Sequence, residues 1–443
     1  MNKKVCLFLC LLSSFGTYAQ DQWSLERCIN FGLENNIQIK QAELDSKSAE
    51  VNLFGTKMSS LPSLNASAGL NYSVGRSIDP FTNTIIDSDI TSQNGGLNAS
   101  LPVFNGFRIR NSTLRDQQSL IATDFSLEDT KNTVTLNVVT FYTNILFNLE
   151  LLEVAKLRLL TTKTQENRIS TQVDLGALAI SDLLQIRQQL ANDELAVITA
   201  ENNVELSTLS LKQALQIPVA QEFSIDSPQL PTPEELVVLE SSSVVYQYAL
   251  KNQPIIKASV ANEAAARYGV GIAKSNYYPS VSLNAGLSTN YSDVAANALG
   301  DSFTYLDQLD FNQRKFVGFS LTIPIFNRFQ VVNSVQQAKI NFDRSSYRLT
   351  SAKNQLQQTI EQAYLDVKTA SKAYSALENS LEAAELAYEN ASQRLDLGAI
   401  DIVSFTQIKN DYERVKSDLV RAKYDFIFKT KVLDFYQGKP LNF

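Results

Sequence analysis

From Leu356 onward the apolar and small residues fall at Ile360, Ala363, Val367, Ala370, Tyr374, Leu377, Leu381, Ala384, Tyr388, Ala391 and Leu395, alternating steps of four and three. That spacing places them on one stripe of a helix and predicts a coiled-coil seam. No proline or glycine interrupts Phe329 to Leu395. One helix of roughly 100 Å is therefore expected at 1.5 Å per residue, far longer than a globular core needs. The alanines of the seam allow close helix approach. The run ends at Asp396-Leu397-Gly398-Ala399, where glycine can take the left-handed conformation that terminates a helix. A returning helix from Asp401 carries its own seam at Ile408, Tyr412, Val415, Leu419, Ala422 and Phe426.

Elsewhere the period is two. Leu64, Ala66, Ala68, Leu70 and Tyr72 alternate with Asn65, Ser67, Gly69, Asn71 and Ser73, and Leu97, Ala99, Leu101 and Val103 alternate with Asn98 and Ser100. The same pattern returns at Val281, Leu283, Ala285 and Leu287, and again at Val317, Phe319, Leu321, Ile323 and Ile325. Four strands of about 10 residues are predicted, each with an apolar and a small polar face. That length crosses a bilayer when tilted, and Tyr72, Phe104, Tyr277, Tyr278, Tyr291 and Phe326 lie near the strand ends, although half-buried strands of a soluble sandwich alternate in the same way.

The two patterns repeat. Glu34-Asn35-Asn36-Ile37-Gln38-Ile39-Lys40 resembles Lys251-Asn252-Gln253-Pro254-Ile255-Ile256-Lys257 at a shift of 217 (251 minus 34), as Leu61-Pro62-Ser63-Leu64 resembles Tyr278-Pro279-Ser280-Val281. Pro102-Val103-Phe104-Asn105-Gly106-Phe107 answers Pro324-Ile325-Phe326-Asn327-Arg328-Phe329 at a shift of 222 (324 minus 102), and Asp174-Leu175-Gly176-Ala177 answers Asp396-Leu397-Gly398-Ala399. The chain is read as two similar halves. The first, 20–216, has a helix broken near Asn35-Asn36, strands at 63–74 and 95–104 around a polar stretch from Gly75 to Gln93, a long helix 107–173, a tip 174–182 and a return helix 182–215. The second, 241–437, has strands 280–291 and 315–326, a long helix 329–395, a tip 396–404 and a return helix 401–436. A proline-bearing linker at 217–240 separates them, and 438–443 is an irregular tail.

Composition narrows the function. The net charge of -7 and the absence of Lys/Arg clusters interleaved with aromatics exclude a nucleic-acid surface. The absence of histidine removes the commonest general base and metal ligand, and no phosphate-binding glycine loop is present. No enzyme, cofactor or metal site is expected. Lys3 and Lys4 precede an apolar run from Val5 to Leu12, and Thr17-Tyr18-Ala19 offers a small-residue cleavage site, so 1–19 reads as an export signal peptide. Cys6 and Cys10 lie in that leader, no lipid anchor is expected at Cys10, and Cys28 reads as a small buried hydrophobe. No uncharged apolar stretch of 18 residues follows, so no transmembrane helix is expected beyond the leader.

Four membrane strands leave two bare edges, and closed barrels begin near eight strands, so copies would have to share one wall. The duplicated helix, strand, strand, helix, tip, helix order, with its Pro62, Pro279, Pro102-Val103-Phe104-Asn105-Gly106 and Pro324-Ile325-Phe326-Asn327 junctions, resembles the TolC-type outer-membrane efflux channel family over nearly the whole chain. The resemblance implies an α+β membrane protein of the cell outer membrane. It implies a homotrimer whose four strands per chain build a twelve-stranded β-barrel in outer-membrane lipid, continued by a long periplasmic α-helical barrel. It also implies an exit duct docking onto a periplasmic adaptor and an inner-membrane pump of a tripartite efflux or type I secretion system. Gly176, Ala177, Leu178 and Ala179, with Gly398, Ala399 and Ile400, would be the adaptor contacts. Asp182 matches an acidic gate position, while Ser404 and Gln407 stand where some members carry an acidic ring and Ile400 where a constricting arginine stands. Asp182 reads equally as a helix N-terminal residue, and Tyr374 and Tyr388 read as packing. The competing classes are a periplasmic adaptor, which would need a compact β-domain interrupted by one hairpin, and a coiled-coil scaffold without a barrel, which leaves the alternating strands unexplained.

Overall fold

The computed structural model describes residues 22–79, 83–228, 240–295 and 303–441. The leader with its cleavage site at Ala19, residues 229–239 of the linker and the last two residues of the tail lie outside the described residues. The first repeat runs α1 (Leu25–Asn35), α2 (Ile37–Met58), β1 (Ser63–Ser73), β2 (Arg76–Ile78), β3 (Ile85–Asp87), β4 (Ile90–Asn105), α3 (Arg108–Asp174) and α4 (Ile180–Leu215). The second runs α5 (Ser242–Asn252), α6 (Pro254–Ser275), β5 (Ser280–Ser292), α7 (Tyr305–Phe311), β6 (Arg314–Thr322), α8 (Gln330–Asp396) and α9 (Ile402–Gln437). α3 and α8 each hold 67 residues, and α4 and α9 each hold 36. The chain divides into two units, one of Leu44–Phe125 with Lys257–Ser351, the other of the chain up to Glu43 with Ser126–Ile256 and Ala352–Phe443.

The first of these units holds the sheet, antiparallel throughout in the order β1-β4-β5-β6. Register sets Ala66, Leu97, Leu287 and Lys315 side by side, and likewise Leu64, Ala99, Ala285 and Val317. Directly opposed residues point to one face, so that face is apolar from edge to edge in the Leu64 row and apolar up to Lys315 at the β6 edge in the Ala66 row. The other carries Asn65, Asn98 and Gly286 in one row and Ser63, Ser100 and Asn284 in the next. β1 and β6 are left as edges, and Val317 on the apolar face is 75% exposed.

Several boundaries differ from those read in the sequence. β4 starts at Ile90 rather than near 95, and a small β2–β3 hairpin occupies part of the polar stretch. β6 ends at Thr322, not 326, because Thr322 pairs with Ser280 and the next partner would be Pro279, which has no N–H to offer. β4 continues to Asn105 because a bulge between Pro102 and Phe104 lets it bypass the proline and keep pairing with Val281 and Ser280. α7 has no counterpart in the sequence reading.

The second unit is helical. Val134, Val138, Val139, Tyr142, Ile145 and Leu146 of α3 pack with Leu25 and Cys28 of α1, Leu211 and Leu215 of α4, and the following Ile217 and Ile225. Cys28 is fully buried, and burial pushes its thiol up to about 12. The Tyr142 hydroxyl donates to the Asp226 carbonyl at 2.7 Å, with the Trp23 carbonyl 3.2 Å away, and ties the linker to the start of the described chain. The α1/α2 break is made by Asn36, whose side-chain oxygen accepts from Gln38 N at 2.8 Å while its amide donates to the Ala214 carbonyl at 2.9 Å. The matching α5/α6 break uses Pro254 at the first helical position, where no N–H is needed.

The α8 seam follows the predicted positions. Leu356, Ile360, Ala363, Val367 and Ala370 are buried against Val245 and Ala249 of α5 and Phe426 and Leu433 of α9, while Tyr374 to Tyr388 are half-buried. The α9 seam is displaced in its first turns, where the buried line is Ile402, Phe405, Lys409 and Glu413. One 18-residue window of α3 does have the length and composition of a membrane span, contrary to expectation, but half of it is buried inside the protein, as in a core helix.

Candidate functional site

The two tips are built alike. At the end of α3, Gly176 has φ +73°, Gly176 N donates to the Val173 carbonyl at 2.9 Å and Ala177 N to the Gln172 carbonyl at 2.8 Å. At the end of α8, Gly398 has φ +68°, Gly398 N donates to the Leu395 carbonyl at 3.0 Å and Ala399 N to the Arg394 carbonyl at 2.8 Å. These paired bonds satisfy the last carbonyls of each helix and need a residue at ease with positive φ.

The returning helices are capped differently. Asp182, three residues into the start of α4, accepts from Ala179 N at 3.2 Å. In α9 the acid has moved to the cap itself. Asp401 accepts from Ser404 N at 2.9 Å and from the Ser404 hydroxyl at 2.8 Å, and these bonds hold its carboxyl below the usual carboxylate range. Asp182 is thus a helix-start residue, and Ser404, its counterpart, is an exposed partner of Asp401.

Of the residues expected to meet an adaptor, Gly176, Ala177, Ala179, Gly398 and Ala399 are exposed. Leu178 and Ile400 are turned inward onto a cluster of Ile169, Leu183, Ile186, Ala391, Ile402 and Phe405 that binds the two tips together. Gln407 is exposed on α9. Leu175 and Leu397, each immediately before its tip glycine, stand out at 79% and 82% exposure. Arg168 and Asp396 pair across the two hairpins at 2.5 Å. Tyr388 stacks on Tyr412 at 5.1 Å and lies 5.9 Å from Phe405, a packing role.

Inward from the tips lies a polar cluster that the sequence reading did not find. Asp193 of α4 accepts from the Thr162 hydroxyl at 2.5 Å and from the Gln189 amide at 2.9 Å, with Arg158 Nε 2.7 Å away. Lys409 of α9 donates to Thr162. Thr162, Asp193, Lys409 and Glu413 are all buried. Three helices therefore meet around one carboxylate. Burial lowers the Lys409 amine despite Asp193 and Glu413, and burial raises the Glu413 carboxyl. The signal was available in the spacing, since Ile402, Phe405, Lys409 and Glu413 follow steps of three and four.

The sign of one pH effect follows. A Glu413 carboxyl raised above its ordinary 4.5 contributes stability that is full below about 4.5 and lost as pH rises through the folded value. Measured against Glu413→Gln, which lacks this proton, the parent is expected to gain stability between neutral pH and 4.5, read as the difference in urea midpoints. A constant difference, or one of opposite sign, would show that the carboxyl is not held this way.

Among the described residues no group of His, Cys, Asp and Glu is arranged to hold a metal ion. The sequence model of a family described as outer membrane efflux protein matches residues 29–215 and 245–431, one match per repeat. The chain is 24% identical over 434 residues to the outer membrane protein TolC of Escherichia coli K12, covering 94% of this chain and 82% of TolC. Its fold matches the outer-membrane channel OprN with a TM-score of 0.76 at 17% identity, over 94% of this chain and 90% of that one. It matches the outer membrane protein VceC of Vibrio cholerae at 0.75 and 17%, over 94% and 96%. With both repeats covered by the family model and the open strand sheet and helical hairpins in place, the chain belongs to the outer membrane efflux protein family and is an export channel of the outer membrane.

Proposed function

We propose that three copies of this chain close one twelve-stranded barrel, and that the tips, Gly176 to Ala179 and Gly398 to Ile400, dock through their exposed residues onto a periplasmic adaptor serving an inner-membrane pump. The open four-stranded sheet carries this reading. Its apolar face suits lipid, its small polar face suits a lumen, and its two bare edges would each leave a row of unsatisfied backbone groups in hydrocarbon at several kcal/mol apiece. Pairing the β6 edge of one copy with the β1 edge of the next removes every edge. In this layout linker residues 217–228 and tail residues 438–441 belong to a belt outside the helices, and Asp182, Ser404, Gln407 and the inward-turned Ile400 surround the periplasmic entrance.

The test is crosslinking in the working assembly. A cysteine at Ala177 or Ala399 is expected to join the channel to its adaptor under transport conditions, in a band that runs as a channel trimer when unheated. Crosslinks at neither position, or an adaptor captured on a monomer, would remove the docking or the trimer respectively.

A further inference from the structure

The polar face of the sheet is built mostly from small residues, and among the described residues Phe316 is the one aromatic ring paired into it. Phe316 of β6 pairs with Gly286 of β5, which pairs in turn with Asn98 of β4, so the three share a row on that face. A Cβ placed on Gly286 would lie 2.3 Å from Phe316 Cε1, 2.7 Å from its Cζ and 2.9 Å from Asn98 Oδ1. The far edge of the ring therefore occupies the space directly over Gly286, laid along the wall beside the Asn98 side chain. Any larger residue at 286 would lift it away.

The ring is not sealed by this arrangement, because Phe316 remains 44% exposed. Gly318, the next residue of β6 on the same face, has nothing within 4 Å of its Cβ position, so the wall beside the ring is open. Arg314, two residues before Phe316 on that face, is also exposed. A flat, half-bare aromatic surface, an amide at its side and a cation close by are the parts of a site that takes a planar aromatic ring by stacking and favours one carrying an anionic group.

We propose that Phe316, lying across Gly286 beside Asn98, is a stacking platform on the lumen wall for planar aromatic cargo, with Arg314 favouring aromatic anions. This rests on the barrel reading, since only a closed barrel turns the polar face into a lumen. Symmetry then sets three platforms at one height.

The full-length channel in a planar bilayer, with 2-naphthalenesulfonate added from the barrel side, tests the inference by current blockade. Ethanesulfonate, with the same charge and no ring, is the comparator. In the parent the aromatic anion is expected to block for longer than ethanesulfonate. Phe316→Ala should shorten the blockades about fivefold, the scale of one lost stacking contact, and Phe316→Tyr should keep them. Equal blockade times in the parent and Phe316→Ala, or equal times for the two anions, would overturn the platform while leaving the channel intact. A parent that conducts no current would overturn the barrel reading, and the platform with it.

Discussion

Asp193→Ala is expected to destabilise the helical unit by about 3–5 kcal/mol, the scale for removing one partner from a buried charged group. Asp193 is 1% exposed, accepts from Thr162 and Gln189 and forms an ion pair with Arg158, with Lys409 joined through Thr162. Without it, the Thr162 hydroxyl, the Gln189 amide and the Arg158 guanidinium lose their shared partner, and the Lys409 amine, already lowered by burial, has no compensating charge except Glu413. Asp193→Asn keeps the acceptor oxygen and should cost less. Replacing the group together, as Thr162→Val with Asp193→Leu and Lys409→Met, should recover most of the loss, because whole buried ion clusters can be exchanged for apolar packing at little cost. Urea midpoints of the purified channel read all three. An Asp193→Ala midpoint equal to the parent's would mean that the cluster is solvated and holds nothing.

Gly106→Val should be comparably severe, at roughly 3 kcal/mol or more, from overpacking added to a disfavoured backbone. Gly106 joins β4 to α3 with φ +64°, and a Cβ there would lie 2.3 Å from the Ser275 carbonyl oxygen and 2.9 Å from Tyr278 Cβ. The second repeat supplies the control. Arg328, at the matching junction, has φ +51° and is followed by Phe329 at φ +61°, as Gly106 is followed by Phe107 at φ +66°. A left-handed pair is therefore common to both junctions, and one of them carries it without glycine. What demands glycine at 106 is the close approach of the Ser275 carbonyl. Accordingly Arg328→Gly is expected to be neutral or to stabilise by no more than about 1–2 kcal/mol, by relieving the left-handed strain. If Gly106→Val and Arg328→Gly move the urea midpoint equally little, backbone conformation alone governs both junctions.

The helical hairpins were the most legible part of the chain, because an apolar stripe repeated over many turns admits few other readings. The seam from Leu356 to Leu395 and the glycine ends at Gly176 and Gly398 reflect local chemistry, and local chemistry survives folding. The edges of the sheet were less legible. Nothing within β6 says to stop at Thr322; that limit comes from Pro279 on the neighbouring strand, distant in sequence. α7 was missed for a related reason. Its seven residues are too few to show a period, and it is held by Gln308, whose side-chain amide donates to the Ser292 carbonyl at 2.9 Å while its oxygen accepts from Ser292 N at 2.9 Å.

In the candidate site, exposure at Ala177 and Ala399 could be anticipated from turn chemistry, whereas the inward turn of Leu178 and Ile400 needed the partner hairpin. Lys409 and Glu413 carry charges, which α9 alone gives no reason to bury. A carboxylate on α4 and a hydroxyl on α3 make their burial tolerable, and neither is visible from α9 alone.

The equal arms of the two hairpins have one more implication. With 67 residues out and 36 back in each half, the halves have drifted in side chains but not in length. One residue inserted into α8 alone would swing every later side chain by about 100° and push its glycine about 1.5 Å beyond its twin. Residue count along these arms is thus the quantity under the tightest restraint, and viable length changes should come as matched pairs or as whole turns.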